Sequence, residues 1–481
     1  MKALLLTVFS LACSAALFAQ NEQDALRYSR IGFGGTARYN SMGGAMGAIG
    51  ADMSVMSTNP AGLGFYRKNE LSFTPSLFSQ NVTSTYNDSI SEDSRYNLRF
   101  NNFGFVFAGP TENTSETGWQ GVAMGIGYNR YNTFQSNLWM TGKSNTSMMD
   151  SWAKTAGGSG PYNLDGFNEG LAWNTWLLNN VPGDTMHYTD TIPEGDMLYQ
   201  EKTVTTRGGM GEWLFSIAGN YSNKFFIGAS IGIPQVRYEE SSTYTEQEVV
   251  DSTSNFDYLR FDQTLVTKGR GINFKVGIIY RPVDLFRIGF AFHSPSFLKL
   301  SDAYSSSMTS VLGGYTRQSD SPNGTFNYTI RTPARAIASI AFMFGKTAML
   351  DADYEVTDFS EAHLNSATYA FSAANNAIRD KYTLGQTIRV GGEFRYLPFI
   401  FRAGFAWYGS PYAPTVNNTA ARLYYTGGVG YHSDDDQFYV DFAVVASQEN
   451  SNYYFYDQSL VNPVSNHWKS VDAMLTLGFR Y

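Results

Sequence analysis

Apolar and polar residues alternate along many separate stretches of this chain. The clearest stretch is 471–481, VDAMLTLGFRY, in which Val471, Leu475 and Phe479 belong to one apolar row that ends at Tyr481. Strict alternation places the two rows on opposite faces of a β-strand. The same pattern recurs in four further stretches: 286–294, 348–356, 388–396 and 437–447. The alternation therefore predicts an all-β protein.

The length of these stretches favours strands that cross a membrane. Many of them reach the roughly 10 residues that a tilted strand needs to span a bilayer. In a membrane barrel the apolar row faces lipid and the polar row faces the lumen. A soluble β-sandwich also has alternating strands, but it does not require strands of this length.

The connections between these stretches alternate between short and long. Short turns are predicted at five places: 221–224, 281–284, 344–346, 397–398 and 432–437. Long polar stretches are predicted at seven: 81–96, about 131–208, 239–265, 300–324, 361–382, 410–419 and 450–467. Short periplasmic turns and long external loops are typical of an outer-membrane barrel, and the strands between them number about fourteen. The barrel is expected to occupy 67–481, with both termini on the periplasmic side.

Composition supports the same class of protein. Of the 481 residues, 16% are aromatic and only 16% are charged, and there are 32 tyrosines. Abundant tyrosine fits the aromatic girdles of a membrane barrel. The net charge of −8 argues against nucleic acid as a partner.

Residues 1–19 have the pattern of a signal peptide. Lys2 is the basic start, 3–18 is the apolar core, and Ala19 precedes the expected cleavage point. Cleavage would remove Cys13, the only cysteine. The alternative is a lipoprotein anchored through Cys13, but the residues before it fit that signal poorly.

Residues 20–66 break the alternating pattern. This segment is rich in glycine, alanine and methionine, and Gly43, Gly44, Gly47 and Gly50 indicate close backbone packing. The glycine spacing does not fit a dinucleotide-binding loop. A loose periplasmic tail is the other alternative, but the apolar content favours burial. We therefore expect a compact hatch inside the barrel.

Four stretches together resemble the FadL-type family of outer-membrane transporters for long-chain fatty acids and other hydrophobic compounds. The first ends in Asn59-Pro60-Ala61-Gly62-Leu63 and is similar to the hatch motif of that family. The other three are 271–297, 331–360 and 388–412.

The resemblance implies a fourteen-stranded transmembrane antiparallel β-barrel in the outer membrane of a Gram-negative bacterium, plugged by the N-terminal hatch. Asn59, Pro60, Ala61 and Gly62 would form the hatch motif. Hydrophobic ligands would be captured outside, bind in the lumen and leave sideways through a gap in the wall. The expected partners are outer-membrane lipid, a hydrophobic small molecule and the barrel assembly machinery, and we expect a monomer.

The third predicted strand, 118–131, is the candidate for the lateral gate. The family has its gap in a similar strand, and glycines weaken strand pairing. The candidate gate residues are Gly121, Gly125 and Gly127.

The longest predicted loop, about 131–208, carries an apolar stretch that could capture ligand. The candidate residues are Trp173, Trp176, Leu177 and Leu178. The alternative is that they anchor the loop on the barrel rim or in lipid. In the family the capturing groove comes from later loops, so this chain departs from the pattern.

Charged residues on the polar faces of the strands are candidate lumen groups. They include Asp351, Asp353, Arg389, Arg395 and Arg402. One hypothesis is that they pair across strands and hold the hatch. The other is that one of the cations binds the carboxylate of a ligand.

No catalytic, cofactor or metal motif is found in the sequence. The five histidines, His187, His293, His363, His432 and His467, lack the spacing of metal ligands. An outer-membrane hydrolase would need a nucleophile or paired acids near a histidine. The remaining alternative to transport is a non-transporting structural or adhesin-type barrel.

Overall fold

Fourteen antiparallel strands close into a β-barrel within the part of the chain that the structure describes. The structure is a computed structural model that describes residues 21–110, 115, 117–249 and 255–481. The expected signal peptide, 1–19, lies outside the described residues. The predicted fold class, an antiparallel β-barrel of about fourteen strands, is confirmed.

The barrel strands are labelled here in chain order. They are β1 (Glu70–Tyr86), β2 (Ser89–Pro110), β3 (Trp119–Thr133, continued by Ser136–Ser144), β4 (Leu198–Tyr221), β5 (Phe225–Glu248), β6 (Phe256–Val283), β7 (Phe286–His293, continued by Phe297–Leu312), β8 (Gly324–Arg331, continued by Arg335–Phe344), β9 (Ala348–Asp358), β10 (Leu384–Tyr396), β11 (Phe399–Tyr408), β12 (Arg422–His432), β13 (Phe438–Tyr453) and β14 (Val464–Arg480).

Short helices lie in the N-terminal segment and in the external loops. They are α1 (Glu22–Ser29), α2 (Ala37–Ser41), α3 (Met148–Ala156), α4 (Glu169–Asn174) and α5 (Ser372–Lys381), with 3-10 turns at Met53–Ser57, Pro60–Phe65, Pro161–Asn163 and Phe359–Glu361. Four short strands belong to the loops: Leu178–Asn180, Tyr188–Asp190, Tyr315–Asp320 and His363–Asn365. Among the described residues, no helix is long and apolar enough to cross a membrane.

The barrel closes where the last strand pairs with the first. The antiparallel register of β14 with β1 runs from Arg480 opposite Glu70 to Ser465 opposite Thr85. Beyond the strands, the N–H of Tyr481 donates to the carbonyl of Asn69 at 3.1 Å, and the reverse hydrogen bond is 3.0 Å long. The Tyr481 side chain is 66% exposed on the outer surface. The role of this end as an assembly signal stays a prediction.

The five short turns lie where the sequence predicts them, but five predicted external loops are shorter than expected. The predicted loop 300–324 is wrong, because β7 continues to Leu312 and pairs with the short strand Tyr315–Asp320. The predicted loop 450–467 narrows to 454–463. The predicted loop 81–96 is wrong, because β1 and β2 continue through it and leave only 87–88 between them. The predicted loop 239–265 narrows to 249–255, and the largest connection narrows from 131–208 to 145–197. The backbone hydrogen bonds of a strand can continue above the membrane, where water solvates polar side chains and no apolar row is needed.

The N-terminal segment, residues 21–66, packs against the inner face of the barrel wall. Every residue from 34 to 50 is buried. Wall glycines allow this close approach, because a Cβ on Gly228 would lie 2.4 Å from the carbonyl carbon of Pro60. A Cβ on Gly404 would lie 2.3 Å from the carbonyl carbon of Met42. The segment and the wall therefore form one packed interior.

A side chain at Gly228 should loosen this packing. We expect Gly228→Val to destabilise the barrel by about 1–3 kcal/mol, because over-packing forces the backbone to shift. The measurement is denaturant unfolding in detergent. Gly109→Val is the matched control, since a Cβ there meets nothing within 4 Å. Equal unfolding midpoints for the two variants would contradict the close approach.

Candidate functional site

The Asn59-Pro60-Ala61-Gly62 motif joins two parts of the N-terminal segment to the wall. The Asn59 side chain accepts from the N–H of Ala61 at 3.2 Å and donates to the carbonyl of Gly47 at 2.7 Å. It also donates to the carbonyl of Ile278 on β6 at 3.4 Å. The asparagine thus begins the 3-10 turn Pro60–Phe65 and fixes it against β6.

Two of the candidate lumen carboxylates bind the backbone of the N-terminal segment. Asp353 accepts from the N–H of Gly47 and Asp351 from the N–H of Ala48, each at 3.2 Å. Both carboxylates are buried on β9. Arg287 on β7 donates to the carbonyl of Ile49 at 2.8 Å. The stretch 47–49 is therefore held by three charged side chains of the wall.

Glu393 on β10 is the centre of a larger buried ion-pair network. Its carboxylate accepts from Arg38 of α2 at 3.0 Å, from Arg395 at 2.8 Å and from Arg402 at 2.7 Å. Arg402 also donates to Asp441 on β13 at 2.7 Å. Two of the candidate cations, Arg395 and Arg402, are thus paired with wall carboxylates, and the network ties α2 to β10, β11 and β13.

Arg389, the remaining candidate cation, pairs with carboxylates of β9. Its guanidinium lies 2.9 Å from Glu355 and 3.6 Å from Asp353. On the other side of the lumen, Lys275 of β6 donates to Glu212 of β4 at 2.6 Å. The structure therefore places four of the candidate lumen charges in ion pairs, whereas Asp351 binds the backbone of the N-terminal segment. Within the described residues, no three metal-ligating side chains are grouped.

An apolar core closes the external mouth of the barrel. Residues 145–197 lie over this mouth, and we call them the external cap. Helix α3 of the cap is held by Glu246, whose carboxylate accepts from the N–H of Met148 at 2.8 Å. The core joins cap side chains to Tyr86, Tyr244 and other residues on the inner face of the strands. The cap is thus anchored to the rim by burial of apolar surface.

The candidate capture residues divide between this core and the surface. Leu177 and Leu178 are fully buried, and Trp173 packs against the same core. Trp176 is 57% exposed, with the guanidinium of Arg317 lying 3.5 Å from its ring centroid. The contacts of the two leucines correspond to the rim-anchoring alternative.

Backbone pairing between β2 and β3 covers only part of the length of the two strands. Backbone pairing joins the two strands from Asn102 opposite Asn129 to Pro110 opposite Gly121. Above it, residues 89–101 of β2 face residues 130–144 of β3, and we call this stretch the β2–β3 seam. Within the described residues, no backbone ladder crosses the seam, although each strand stays paired with its other neighbour.

Side chains bridge the seam in place of the ladder. Arg95 donates to Asn137 at 3.1 Å and to Gln135 at 3.2 Å. Asn137 donates to the carbonyl of Ser94 at 3.1 Å. Arg130 donates to the carbonyl of Phe100 at 2.9 Å. Because rotation of side chains can break such bonds, the two strands can separate here without loss of backbone-to-backbone hydrogen bonds between them.

A cavity of about 1150 Å³ lies along the seam. Its lining combines apolar side chains, which include Phe73, Leu98, Phe100 and Tyr128, with six arginine and lysine side chains. Such a volume is large enough for a small organic ligand. An apolar molecule could therefore occupy the wall at this position.

The three candidate gate glycines lie below the seam, in the paired part of β3. A Cβ on Gly125 would lie 2.5 Å from the sulfur of Met56, and one on Gly127 would lie 2.7 Å from its methyl group. A Cβ on Gly121 would lie 3.3 Å from the carbonyl oxygen of Gly109. Gly125 and Gly127 thus make room for the N-terminal segment.

Sequence reasoning missed the side chains that bridge the seam. Arg95 lies in a stretch interpreted as loop, and Gln135 and Asn137 lie in the loop predicted at 131–208. Their polarity is the same as that of loop residues, so no periodicity marks them. The interruption of β3 at residues 134–135 becomes visible only in the pairing.

The closed barrel, its packed interior segment and its interrupted backbone ladder define a transmembrane β-barrel protein with a filled interior. The profile described as "Outer membrane protein transport protein (OMPP1/FadL/TodX)" matches residues 215–477. The chain belongs to this family. No curated protein matches the chain in sequence.

Two solved structures show the same fold. A FadL homologue of Pseudomonas aeruginosa is 13% identical with a TM-score of 0.53, and the alignment covers 93% of this chain and 99% of that one. The toluene transporter TodX of P. putida is 11% identical with a TM-score of 0.55, with the same coverage of each chain.

Removing the charge of Glu393 should weaken the hold on α2. We expect Glu393→Gln to destabilise the barrel by about 3–5 kcal/mol, because buried arginines lose their partner. Denaturant unfolding measures this loss, and planar-bilayer conductance should rise as the segment loosens. Glu361→Gln is the control, since that side chain is 69% exposed and 4.0 Å from Arg331. Equal losses in the two variants would contradict the network.

The external cap should be more stable in mild acid. Burial and the neighbouring Asp150 raise the pKa of Asp190 from 3.8 to about 6. The folded cap therefore favours the protonated carboxyl, and its contribution is full below about pH 4 and is lost as the pH rises through about 6. Hydrogen-exchange protection factors of α3 should therefore decrease between pH 4 and 7, once the intrinsic pH dependence of exchange has been divided out.

Asp190→Asn should remove that pH dependence, since an amide oxygen can still accept from the N–H of Ile192. Asp184→Asn is the control, because the backbone N–H of Met186 and the ring of His187 lower the pKa of Asp184 below this range. An unchanged pH profile in Asp190→Asn would show that another group is responsible.

Proposed function

We propose that this protein takes up long-chain fatty acids or other hydrophobic small molecules, binds them within the barrel and releases them sideways through the lower end of the β2–β3 seam, where Leu98 and Phe100 line the cavity at the border of the apolar belt. The observation that carries the proposal is the replacement of the backbone ladder by side-chain hydrogen bonds at residues 89–101 and 130–144. A wall joined by side chains opens at lower cost than one joined by strand pairing.

Lateral release suits a hydrophobic cargo for a physical reason. Transfer of each CH₂ group into water costs about 0.8 kcal/mol, so a long chain resists passage through an aqueous channel. The apolar lining of the seam cavity, with Leu98 and Phe100, would keep the chain out of water between lumen and membrane. TodX, which has the same fold, is a transporter of toluene, another hydrophobic molecule.

In this proposal the N-terminal segment is the hatch, and its ion pairs prevent leakage of polar solutes. Ligand would reach the lumen after the external cap opens, and Trp176 is the exposed apolar side chain at which capture could begin. Gly125 and Gly127 would act at the gate indirectly, by fitting the hatch against β3 below the seam, and Gly121 would act there by the close approach of β3 to β2. Recognition by the barrel assembly machinery and a monomeric state stay predictions from the sequence.

A non-transporting structural barrel is the second candidate function. It is favoured by the ion pairs that Asp353, Arg389, Arg395 and Arg402 make with other side chains of the wall. It is also favoured by the apolar core that seats the cap. A rigid, filled barrel of this kind would suit a structural or adhesive role.

Cross-linking the seam separates the two functions. Ser94→Cys with Asn137→Cys places two thiols across it, where the side chain of Asn137 reaches the carbonyl of Ser94. We expect the oxidised variant to lose uptake of labelled oleate by whole cells, and reductant to restore it. The physical reason is that a disulfide prevents the two strands from separating.

The matched control is a cross-link in the paired part of the same wall. Phe107→Cys with Met124→Cys joins two residues that the β2–β3 ladder already pairs, so uptake should not change. Uptake that is equal in oxidised and reduced seam variants would exclude release at this seam. Equal uptake by cells with and without the protein, for several hydrophobic ligands, would favour the structural barrel.

A further inference from the structure

Four exposed cations form a patch on the outer face of β5, β6 and β7. They are Arg237, Lys268, Arg270 and Lys299. Two of them, Lys268 and Arg270, lie on β6 and directly precede an outward-facing apolar row on that strand. This row consists of Ile272, Phe274, Val276 and Ile278. The neighbouring residues of β7, Leu298 and Leu300, are buried on the opposite face. The patch therefore lies at the external border of the apolar belt.

The strand register places these cations directly opposite one another. Arg237 on β5 pairs with Lys268 on β6, and Arg270 on β6 pairs with Lys299 on β7. Directly opposite residues of an antiparallel pair have Cβ atoms about 4.5–5.5 Å apart, and like charges there are destabilising. Lys268 and Arg270 are also neighbours on one face of β6. Two repelling pairs thus stand side by side.

Few carboxylates of the protein compensate for this repulsion. Arg237 pairs with Glu239 of its own strand at 2.5 Å. Within the described ranges, no ion pair joins Lys268, Arg270 or Lys299 to a carboxylate. The patch therefore keeps an excess of positive charge that an external anion can neutralise.

The surroundings of the patch provide space and further donors. All four cations line the cavity of about 1150 Å³ that reaches the β2–β3 seam. Lys268 and Lys299 also line a second cavity of about 580 Å³, together with the polar side chains of Asn327 and Thr329. Phosphate oxygens accept hydrogen bonds from such cations, amides and hydroxyls.

We propose that Arg237, Lys268, Arg270 and Lys299 bind the phosphate groups of a membrane lipid, whose acyl chains lie against the apolar row below. The charge of the patch matches a phosphate, and its height matches the headgroup level of a lipid that contacts Ile272 and Phe274. This inference does not depend on the transport proposal, since it requires only that the barrel lies in a membrane.

The variant for the test is Lys268→Gln with Arg270→Gln, in the full-length mature protein. Native mass spectrometry and lipid titration in a neutral detergent would compare phosphatidylglycerol with phosphatidylcholine. We expect wild type to prefer the anionic lipid, and the double variant to bind it at least about tenfold more weakly, because cation number sets attraction to anionic lipid.

The melting temperature gives a second readout, because the double variant should exceed wild type without lipid but gain less than wild type when lipid is added. Without lipid, the double variant should melt at a higher temperature than wild type, because it has lost like-charge repulsion. With phosphatidylglycerol, wild type should gain more than the variant. If the double variant simply folded poorly, its melting temperature would be lower than that of wild type both without and with lipid. This outcome is therefore distinguishable from the loss of a lipid site.

Lys469→Gln is the matched control. Lys469 is an exposed cation of β14 above the apolar row, but the residues opposite it are Asn81 and Gln448, which carry no charge. Its replacement should leave lipid preference unchanged. Equal binding of phosphatidylglycerol by wild type and double variant would overturn the proposal. Stabilisation by inorganic phosphate that equals that of the lipid would also overturn it, in favour of a free-anion site.

Discussion

The satisfaction of backbone hydrogen bonds within a membrane is the constraint on which the rest of this structure depends. Each unpaired N–H or C=O in hydrocarbon costs several kcal/mol, so a spanning sheet must close on itself. The pairing of β14 with β1 meets this requirement. Because the wall is fixed in this way, it can change only where the ladder has already been replaced. The lower end of the β2–β3 seam, next to Leu98 and Phe100, is such a place at the membrane border.

The interior follows from the same closed wall, but its two sides hold the N-terminal segment differently. On the side of β9 to β13, buried charges such as Asp353 and Glu393 bind the segment. On the side of β2 and β3, the sulfur atoms of Met53 and Met56 lie over the wall glycines Gly104 and Gly125. Methionine side chains are flexible and adapt to changed surroundings. The segment is thus held by charged side chains away from the seam, and by methionine contacts and uncharged hydrogen bonds beneath it.

Much of the fold could be predicted from the sequence, because within the apolar belt the periodicity reports both faces of the wall. The row from Val471 to Tyr481 and the five short turns are examples. The signal ends at the border of the membrane. At 81–96 polar residues occupy both faces, so a paired strand has the composition of a loop.

The candidate site was harder to predict from the sequence. It depends on which strands pair with each other and on which side chains are buried against residues distant in the chain. The motif at Asn59 could be found from its resemblance to a family. The burial of Leu177 and Leu178 depends on side chains of distant strands, and the seam depends on which backbone groups lack a strand partner. Neither property is encoded in local periodicity.

The long strands of the barrel determine where the external mouth stands. β4 and β5 each contain 24 residues and β6 contains 28. With a rise of about 3.3 Å per residue and a tilt of about 40°, 24 residues rise about 60 Å, roughly twice the hydrocarbon thickness of about 30 Å. The external mouth therefore lies well above the bilayer surface. Molecules that arrive through the surrounding water meet this mouth, whereas molecules already dissolved in the bilayer meet only the side of the barrel.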